Sequence, residues 1–324
     1  MSATEPLLTV RDLKKHYALP SDGFSRKPKM LRAVDGISFE VGHGETLGLV
    51  GESGCGKSTA GKSILRLVEP TEGSIRLDGV EITGLSPSDL RAQRRNMQVV
   101  FQDPYSSLNP KTTAGAAVME PFRNFDVHSG KEREEKTAEL FERVGLRRAQ
   151  MAKYPHEFSG GQRQRLGIAR ALALDPKLIV ADEPVSALDV SVQAQVINLM
   201  VRLQDELGLS YIFIAHDLGV VRHVSHRVAV MYLGLIVELA SVEELFKEAL
   251  HPYSQALLAS APSSNPRTPV KRTVLTGDIP SPLSPPSGCR FHTRCPFAFD
   301  RCSREEPKLK AQGSGRLVAC HLHD

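Results

Sequence analysis

The 324-residue chain has no tryptophan, and aromatic residues make up only 6% of it. It has five cysteines: Cys55 stands alone, and Cys289, Cys295, Cys302 and Cys320 all fall in the last 36 residues. No apolar run approaches the ~18 residues that a membrane-spanning helix requires. The opening residues, MSATEPLLTV, lack the basic segment and long apolar stretch of a signal peptide. A formal net charge of +4 is mild. With no dense basic stripe interleaved with aromatics, nucleic acid is not an expected partner. These absences predict a cytosolic chain that works at a membrane, if at all, through partners that span it. In a reducing compartment the clustered cysteines read as metal ligands before disulfides.

Apolar content of 41% and charged content of 24% are those of an ordinary globular protein. The length suits one large α/β domain with an appendage, or two domains. Residues 7–17 and 31–50 read as short strands, and TLGLV (46–50) is a compact buried one. A helix is predicted from the following glycine-rich turn through Val68, ended by Glu69-Pro70. Further strands are predicted at 74–77, 97–102 (MQVVFQ), 177–182 (KLIVAD) and 211–216 (YIFIAH), and helices at 131–145, 159–174 and 191–207. The last of these carries Val192, Val196, Leu199, Leu203 and Leu207 on one face, with Gly208 as its C-cap. Ser241 and Glu244 form a capping-box pattern. Strands alternating with helices imply a parallel sheet covered on both faces. Seven of 21 prolines fall between Pro262 and Pro286, which predicts an extended linker over 262–288 and a small module at 289–324.

Residues 51–58, GESGCGKS, satisfy G-x-x-x-x-G-K-[ST] in full, with a strand before and a helix after. Such glycines let successive N–H groups converge on phosphate oxygens, and the helix N-terminus adds a favourable dipole. Gly51, Ser53, Gly54, Cys55, Gly56 and Thr59 are the expected loop contacts. Lys57 is expected to reach the β- and γ-phosphates, and Ser58 to hold Mg²⁺. The strand at 178–182 delivers Asp182 to its carboxyl end, to hold Mg²⁺ through water, and Glu183 to polarise an attacking water. Phe158-Ser159-Gly160-Gly161-Gln162 opens a helix with small residues, which makes a second phosphate-binding surface. Taken alone, a glycine turn capped by Ser159 explains that stretch equally well.

In this order, over roughly residues 7–250, the motifs resemble those of the ATPase subunits of ATP-binding cassette (ABC) transporters. FSGGQ resembles the family's LSGGQ signature, with Phe158 in place of leucine. Ser186-Ala187-Leu188-Asp189 resembles its D-loop, His216 its switch histidine and Gln102 its Q-loop glutamine. Tyr17 lies where the family usually has an aromatic that stacks on adenine, although a long stretch (19–32) follows it. FQDPYSSLNP (101–110) and His251-Pro252-Tyr253 resemble the dipeptide/oligopeptide and nickel importer group. The resemblance implies an α/β P-loop NTPase of RecA-like type. Its ATP-binding domain would span 1–250 with a helical signature subdomain at about 103–170, and a Cys-rich C-terminal extension would span 251–324.

The resemblance further implies two ATPase subunits packed head to tail, probing ATP from both sides. Lys57 and Ser58 of one subunit face Ser159, Gly160, Gly161 and Gln162 of the other. Glu183 activates water, His216 contacts the γ-phosphate, Gln102 senses Mg²⁺ together with Ser58 and Asp182, and Asp189 communicates across the interface. Residues 103–110 would meet a permease. The implied partners are a second ATPase, a paralogue by this resemblance, two transmembrane permeases, and an extracytoplasmic substrate-binding protein reached through them. The implied location is peripheral, at the cytoplasmic face of the cell (inner) membrane. Members with a similar cysteine quartet bind a [4Fe–4S] cluster. The spacing C-x₅-C-x₆-C-x₁₇-C lacks the short pairs usual for zinc and suits a cluster better, with zinc and unligated thiols as alternatives. His292, His321 and His323 lie near enough in sequence to replace a ligand. Di- and oligopeptides are the expected cargo. Nickel or a small glycan, a non-transport ABC ATPase acting on ribosomes or DNA, and a redox-responsive regulator are the competing readings.

Overall fold

The computed structural model describes residues 5–20, 29–260, 277–313 and 315–324, without the side chains of Pro104 and Ser106. Residues 262–276 of the expected linker, and 21–28 of the stretch after Tyr17, lie outside the described residues. The chain forms two compact units: Met1–Val41 with Thr46–Gly84 and Ala215–Asp324, and Gly42–Glu45 with Leu85–Ile214.

The first unit holds a four-stranded antiparallel sheet. Strands Leu8–Leu19 and Lys29–Val41 pair as the two longest, followed by Glu72–Leu77 and Val80–Glu81. Alternation decides its faces: Leu8, Val10, Val34, Ile37, Phe39, Ile75 and Leu77 are buried, while Arg11, Arg76 and Glu81 are exposed. Strand Thr46–Val50 is different, because all five of its residues are buried. It pairs in parallel with Arg227–Tyr232, as a strand covered on both faces does. Leu235–Ser241 adds antiparallel to Arg227–Tyr232, and Leu317–Val318 and Lys310–Ala311 follow. The helix expected to reach Val68 is Lys57–Ile64 and stops early. Arg66 has φ 49°, which breaks the helical path, and its guanidinium is tied to Glu69 and to the Ile82 carbonyl.

The second unit holds three parallel strands in the order Ser210–Ile214, Leu178–Asp182, Met97–Val100. Helices Ala114–Asn124, Gly130–Arg143, Gly160–Leu172 and Val190–Leu207 belong to it. The highly charged Gly130–Arg143 starts at a Ser129/Glu132 capping box and buries Thr137, Ala138, Leu140 and Phe141. Val190–Leu207 buries Val196, Ile197, Leu199, Met200 and Leu203, and ends at Gly208 in the left-handed region (φ 65°). Leu207, expected on the buried face, is exposed at the helix's last turn, whereas Gln204 is buried, its Nε2 donating to the carbonyls of Gly44 and Leu209.

The C-terminal residues are built into the first unit rather than standing apart from it. Glu238 is fully buried, and its carboxylate accepts from the Leu250 and His251 N–H groups, each at 2.9 Å, and from Arg316. A carboxylate with no exposure is tolerated only with such partners. Beside it, His251 is buried, and its Nδ1 accepts from the Tyr253 N–H at 3.0 Å. Burial, with a smaller contribution from His323, pushes the imidazole's pKa from 6.5 down to about 3. Below pH 6.5 the unfolded chain binds a proton at His251 that the folded chain refuses. His251 therefore contributes stability above about pH 6.5 that is lost progressively as the pH falls toward about 3. A His251→Gln variant is expected to lose about one proton from the acid-side slope of unfolding free energy against pH, measured by urea titration from pH 7 to 4. An unchanged slope contradicts the assignment.

Candidate nucleotide site

The glycine-rich loop after strand Thr46–Val50 curls around its own lysine. Lys57 is 5% exposed, and its Nζ donates to the carbonyls of Gly51 (2.8 Å) and Glu52 (3.1 Å). Two glycines are required for steric reasons as well as for φ. A Cβ at Gly51 (φ 152°) would lie 2.2 Å from the Met231 carbonyl oxygen, and one at Gly56 (φ 107°) would lie 2.0 Å from that of Ala33. Gly56 stands at the N-cap of helix Lys57–Ile64 with φ 107° and, having no side chain, makes no side-chain cap hydrogen bond. Ser53 and Gly54 lie in the turn, and Ser58 and Thr59 on the first helical turn. Cys55 is buried with its Sγ 3.8 Å from Lys57 Nζ, and burial raises its thiol pKa, so it packs rather than reacts.

In the second unit, Asp182 ends strand Leu178–Asp182 and is 7% exposed. Glu183 follows in the left-handed region (φ 47°), where a non-glycine residue is strained, and is held by its N–H bond to the Ile214 carbonyl at 2.9 Å. Gln102 donates its Nε2 to Glu183 Oε2 at 3.1 Å, so these two predicted residues meet. Ser186 Oγ donates to the Glu183 carbonyl at 3.1 Å. Asp189 is the exposed N-cap residue of Val190–Leu207.

The signature stretch divides between the inside and the surface. Phe158 is buried, whereas Ser159 and Gly160 are exposed. Ser159 and Gln162 bond each other reciprocally, Ser159 N–H to Gln162 Oε1 at 3.0 Å and Gln162 N–H to Ser159 Oγ at 3.4 Å. Gly161 permits a close helix contact, since a Cβ there would lie 2.3 Å from Val192 Cγ1. Two further predicted residues, Tyr17 and His216, belong to the first unit. Tyr17 is half-buried on strand Leu8–Leu19 with Lys15 Nζ 4.8 Å from its ring centre. His216 is exposed, just before Asp217, whose carboxylate caps helix Leu218–Val224.

The four C-terminal cysteines are free thiols that line one small cavity of about 10 Å³ with His251, Phe291, His292 and His321. Burial, reinforced by the neighbouring thiols, raises Cys289 to about 11 and also raises Cys295 and Cys320. Among the described residues, no group of three or more His, Cys, Asp or Glu is disposed to hold a metal ion. The three nearby histidines have other partners: His292 Nδ1 meets the Cys289 carbonyl, His321 meets Asp324 and the Glu305 carbonyl, and His323 meets the Leu250 carbonyl.

Sequence reasoning passed over the residues behind the nucleotide loop. Tyr253 Oη accepts the Glu52 N–H at 2.8 Å, and Arg294 grips the Glu52 carboxylate with both Nη atoms, at 2.8 and 3.1 Å. Arg290 donates to the Leu233 carbonyl and pairs with Asp35. The only sequence signal was two arginines set among the cysteines of CRFHTRC, and it did not name their partners.

Residues 34–186 match the ABC transporter family, and residues 237–302 match the oligopeptide/dipeptide transporter C-terminal region. The chain belongs to the ABC transporter ATPase family. Within it, the chain groups with the ATP-binding proteins that carry the oligopeptide/dipeptide C-terminal region. It is 55% identical over 322 residues to the oligopeptide transport ATP-binding protein AppF of Bacillus subtilis (strain 168), covering 98% of each chain. It is 54% identical to the probable peptide ABC transporter ATP-binding protein y4tS of Sinorhizobium fredii, covering 98% of this chain and 90% of that one. Among solved structures, the dimeric post-hydrolysis state of the ATP-binding cassette MJ0796 bound to ADP and Pi matches with a TM-score of 0.64 at 29% identity, over 72% of this chain and 98% of that one. CbiO1 of Clostridium perfringens, part of the ABC transporter complex cbiONQ, matches at 0.65 and 27% identity, over 75% and 91%. These likenesses bear out the expected fold class and family. Among the described residues no helix is long and apolar enough to cross a membrane.

Proposed function

We propose that this chain is the ATP-hydrolysing subunit that energises uptake of di- and oligopeptides through an ABC importer, as a peripheral subunit at the cytoplasmic face of the cell membrane. The observation that carries the reading is a complete cassette joined in one chain to the oligopeptide/dipeptide C-terminal region. The names of AppF and y4tS favour peptide over nickel or glycan as cargo. The domain reading goes with it: an ATP-binding domain over 1–250, with a helical subdomain at about 103–170, and an extension over 251–324.

In this reading ATP lies between the Lys57–Ser58 loop of one ATPase and the Ser159–Gln162 signature of another. The dimeric MJ0796 cassette supports a two-subunit arrangement. Gly51, Ser53, Gly54, Cys55, Gly56 and Thr59 line the phosphates, Tyr17 stacks on adenine, and Asp189 reports across the interface. Mg²⁺, when bound, neutralises charge developing on the γ-phosphate, and Ser58, Asp182 and Gln102 would hold it. Glu183 accepts the proton of the attacking water, with Gln102 3.1 Å away to orient it, and His216 steadies the γ-phosphate. The partners are two permeases, a paralogous ATPase and a substrate-binding protein outside the membrane.

The cysteine quartet reads as a [4Fe–4S] site, with zinc as the alternative. Convergence of four free thiols on one cavity supports it. Cys289, Cys295, Cys302 and Cys320 would hold the cluster, and its binding would add folding free energy to a small module.

Three outcomes are expected. Glu183→Gln keeps ATP binding and accumulates closed dimers while turnover falls about 10²-fold or more; wild-type turnover refutes the role. Purification from native membranes in mild detergent brings along two multi-span permeases and a second ATPase. Recovery with ribosomes, or alone, overturns the importer reading. Anaerobically purified protein contains iron and acid-labile sulfide in equal amounts, and colourless, zinc-loaded protein sinks the cluster.

A further inference from the structure

The nucleotide loop carries an acid where it is least wanted. Glu52 sits directly after Gly51, in a segment otherwise built from glycine, serine, cysteine and lysine to receive a polyanion. A free carboxylate there would repel the triphosphate. The chain supplies a cation from residues far along the sequence. Arg294 pairs with both carboxylate oxygens in a fork, and its side chain is 5% exposed while that of Glu52 is 24% exposed. The Arg294 guanidinium also lies 5.9 Å from the centre of the Tyr232 ring, and Nη1 is 3.4 Å from Tyr232 Oη. Glu52 raises the pKa of Arg294 further, so the arginine stays charged at any working pH. Tyr253 Oη fixes the Glu52 N–H, so the residue is held by its main chain and its side chain at once. The Glu52 carbonyl in turn receives Lys57 Nζ, which links the orientation of this one residue to that of the phosphate-binding lysine.

We propose that Arg294 is a positioning residue for ATP: it neutralises Glu52 and draws that carboxylate off the phosphates, so that a residue of the cysteine-rich module sets the affinity of the nucleotide loop. The proposal rests on the reading that the Lys57–Ser58 loop holds ATP. Its distinguishing feature is that the harm done by losing Arg294 comes from the orphaned charge of Glu52. Removing that charge should undo it, which a packing role for Arg294 does not predict.

The test is equilibrium binding of MgATP to the purified full-length subunit, with steady-state ATPase of the assembled transporter beside it. Wild type should bind and Lys57→Ala should not. Failure of the wild type to bind removes the underlying reading and this proposal together. Arg294→Ala should weaken Kd by roughly five- to tenfold, the effect of one unpaired charge at partly screened range, and raise KM with kcat little changed. Glu52→Gln in the Arg294→Ala background should restore Kd to within about twofold of wild type, and Arg294→Lys should lie between. Should Arg294→Ala not fold, Glu52→Gln alone decides, because it should bind MgATP at least as tightly as wild type. Weakened binding in Glu52→Gln, or no recovery in the double variant, means that the contact is structural and overturns the proposal.

Discussion

Three rings pack against one another behind the nucleotide loop, and the placement of the groups that meet Glu52 depends on them. Tyr232 ends the strand beside Thr46–Val50, Tyr253 opens the helix Pro252–Ser260, and Phe291 lies among the cysteines. Their ring centres are 4.7, 5.3 and 5.5 Å apart, and each ring is at most 1% exposed. Each such burial stabilises by roughly 2–3 kcal/mol, and tilted and edge-on pairs add somewhat more. The cluster does more than glue the tail down. It fixes where Tyr253 Oη and the Arg294 guanidinium lie, and both end on Glu52. A chain with few aromatics has concentrated three of them at the back of its phosphate loop.

The contrast between the two polar pairings in this region follows from burial. Glu238 is wholly enclosed, and two backbone amides and Arg316 satisfy it, so removing any partner leaves a buried charge. Glu52 keeps partial exposure, so its pairing with Arg294 is worth less to folding and more to the local potential. The same chain thus uses one carboxylate to seat its tail and another to tune a loop.

What could be read from the sequence was what is local. The loop 51–58, the buried strands and the Ser159/Gln162 and Ser241/Glu244 boxes are each contained in a few consecutive residues, where spacing alone fixes geometry. Strand and helix ends were less legible. Arg66 adopts a left-handed φ because its guanidinium finds Ile82, sixteen residues on, and the helix stops there and not at Glu69-Pro70. The strained Glu183 could not be foreseen, since its backbone is held by the Ile214 carbonyl. Gly161 also carries a packing requirement that spacing did not reveal, since a Cβ there would lie 2.3 Å from Val192 Cγ1. Arg294 and Glu52 are both ordinary surface types in a one-dimensional reading, and only the fold makes them partners.

The span between those two partners also has a meaning in time. Glu52 precedes Arg294 by 242 residues along the chain. At a synthesis rate of roughly 5–20 residues per second, the nucleotide loop waits roughly 12–48 s on the ribosome before its counter-charge exists. Residues 51–59, the whole of the glycine-rich loop and the first helical turn after it, are made in the first fifth of the 324-residue chain. A product of premature termination would therefore carry a complete, recognisable motif and still lack the groups that stand behind it.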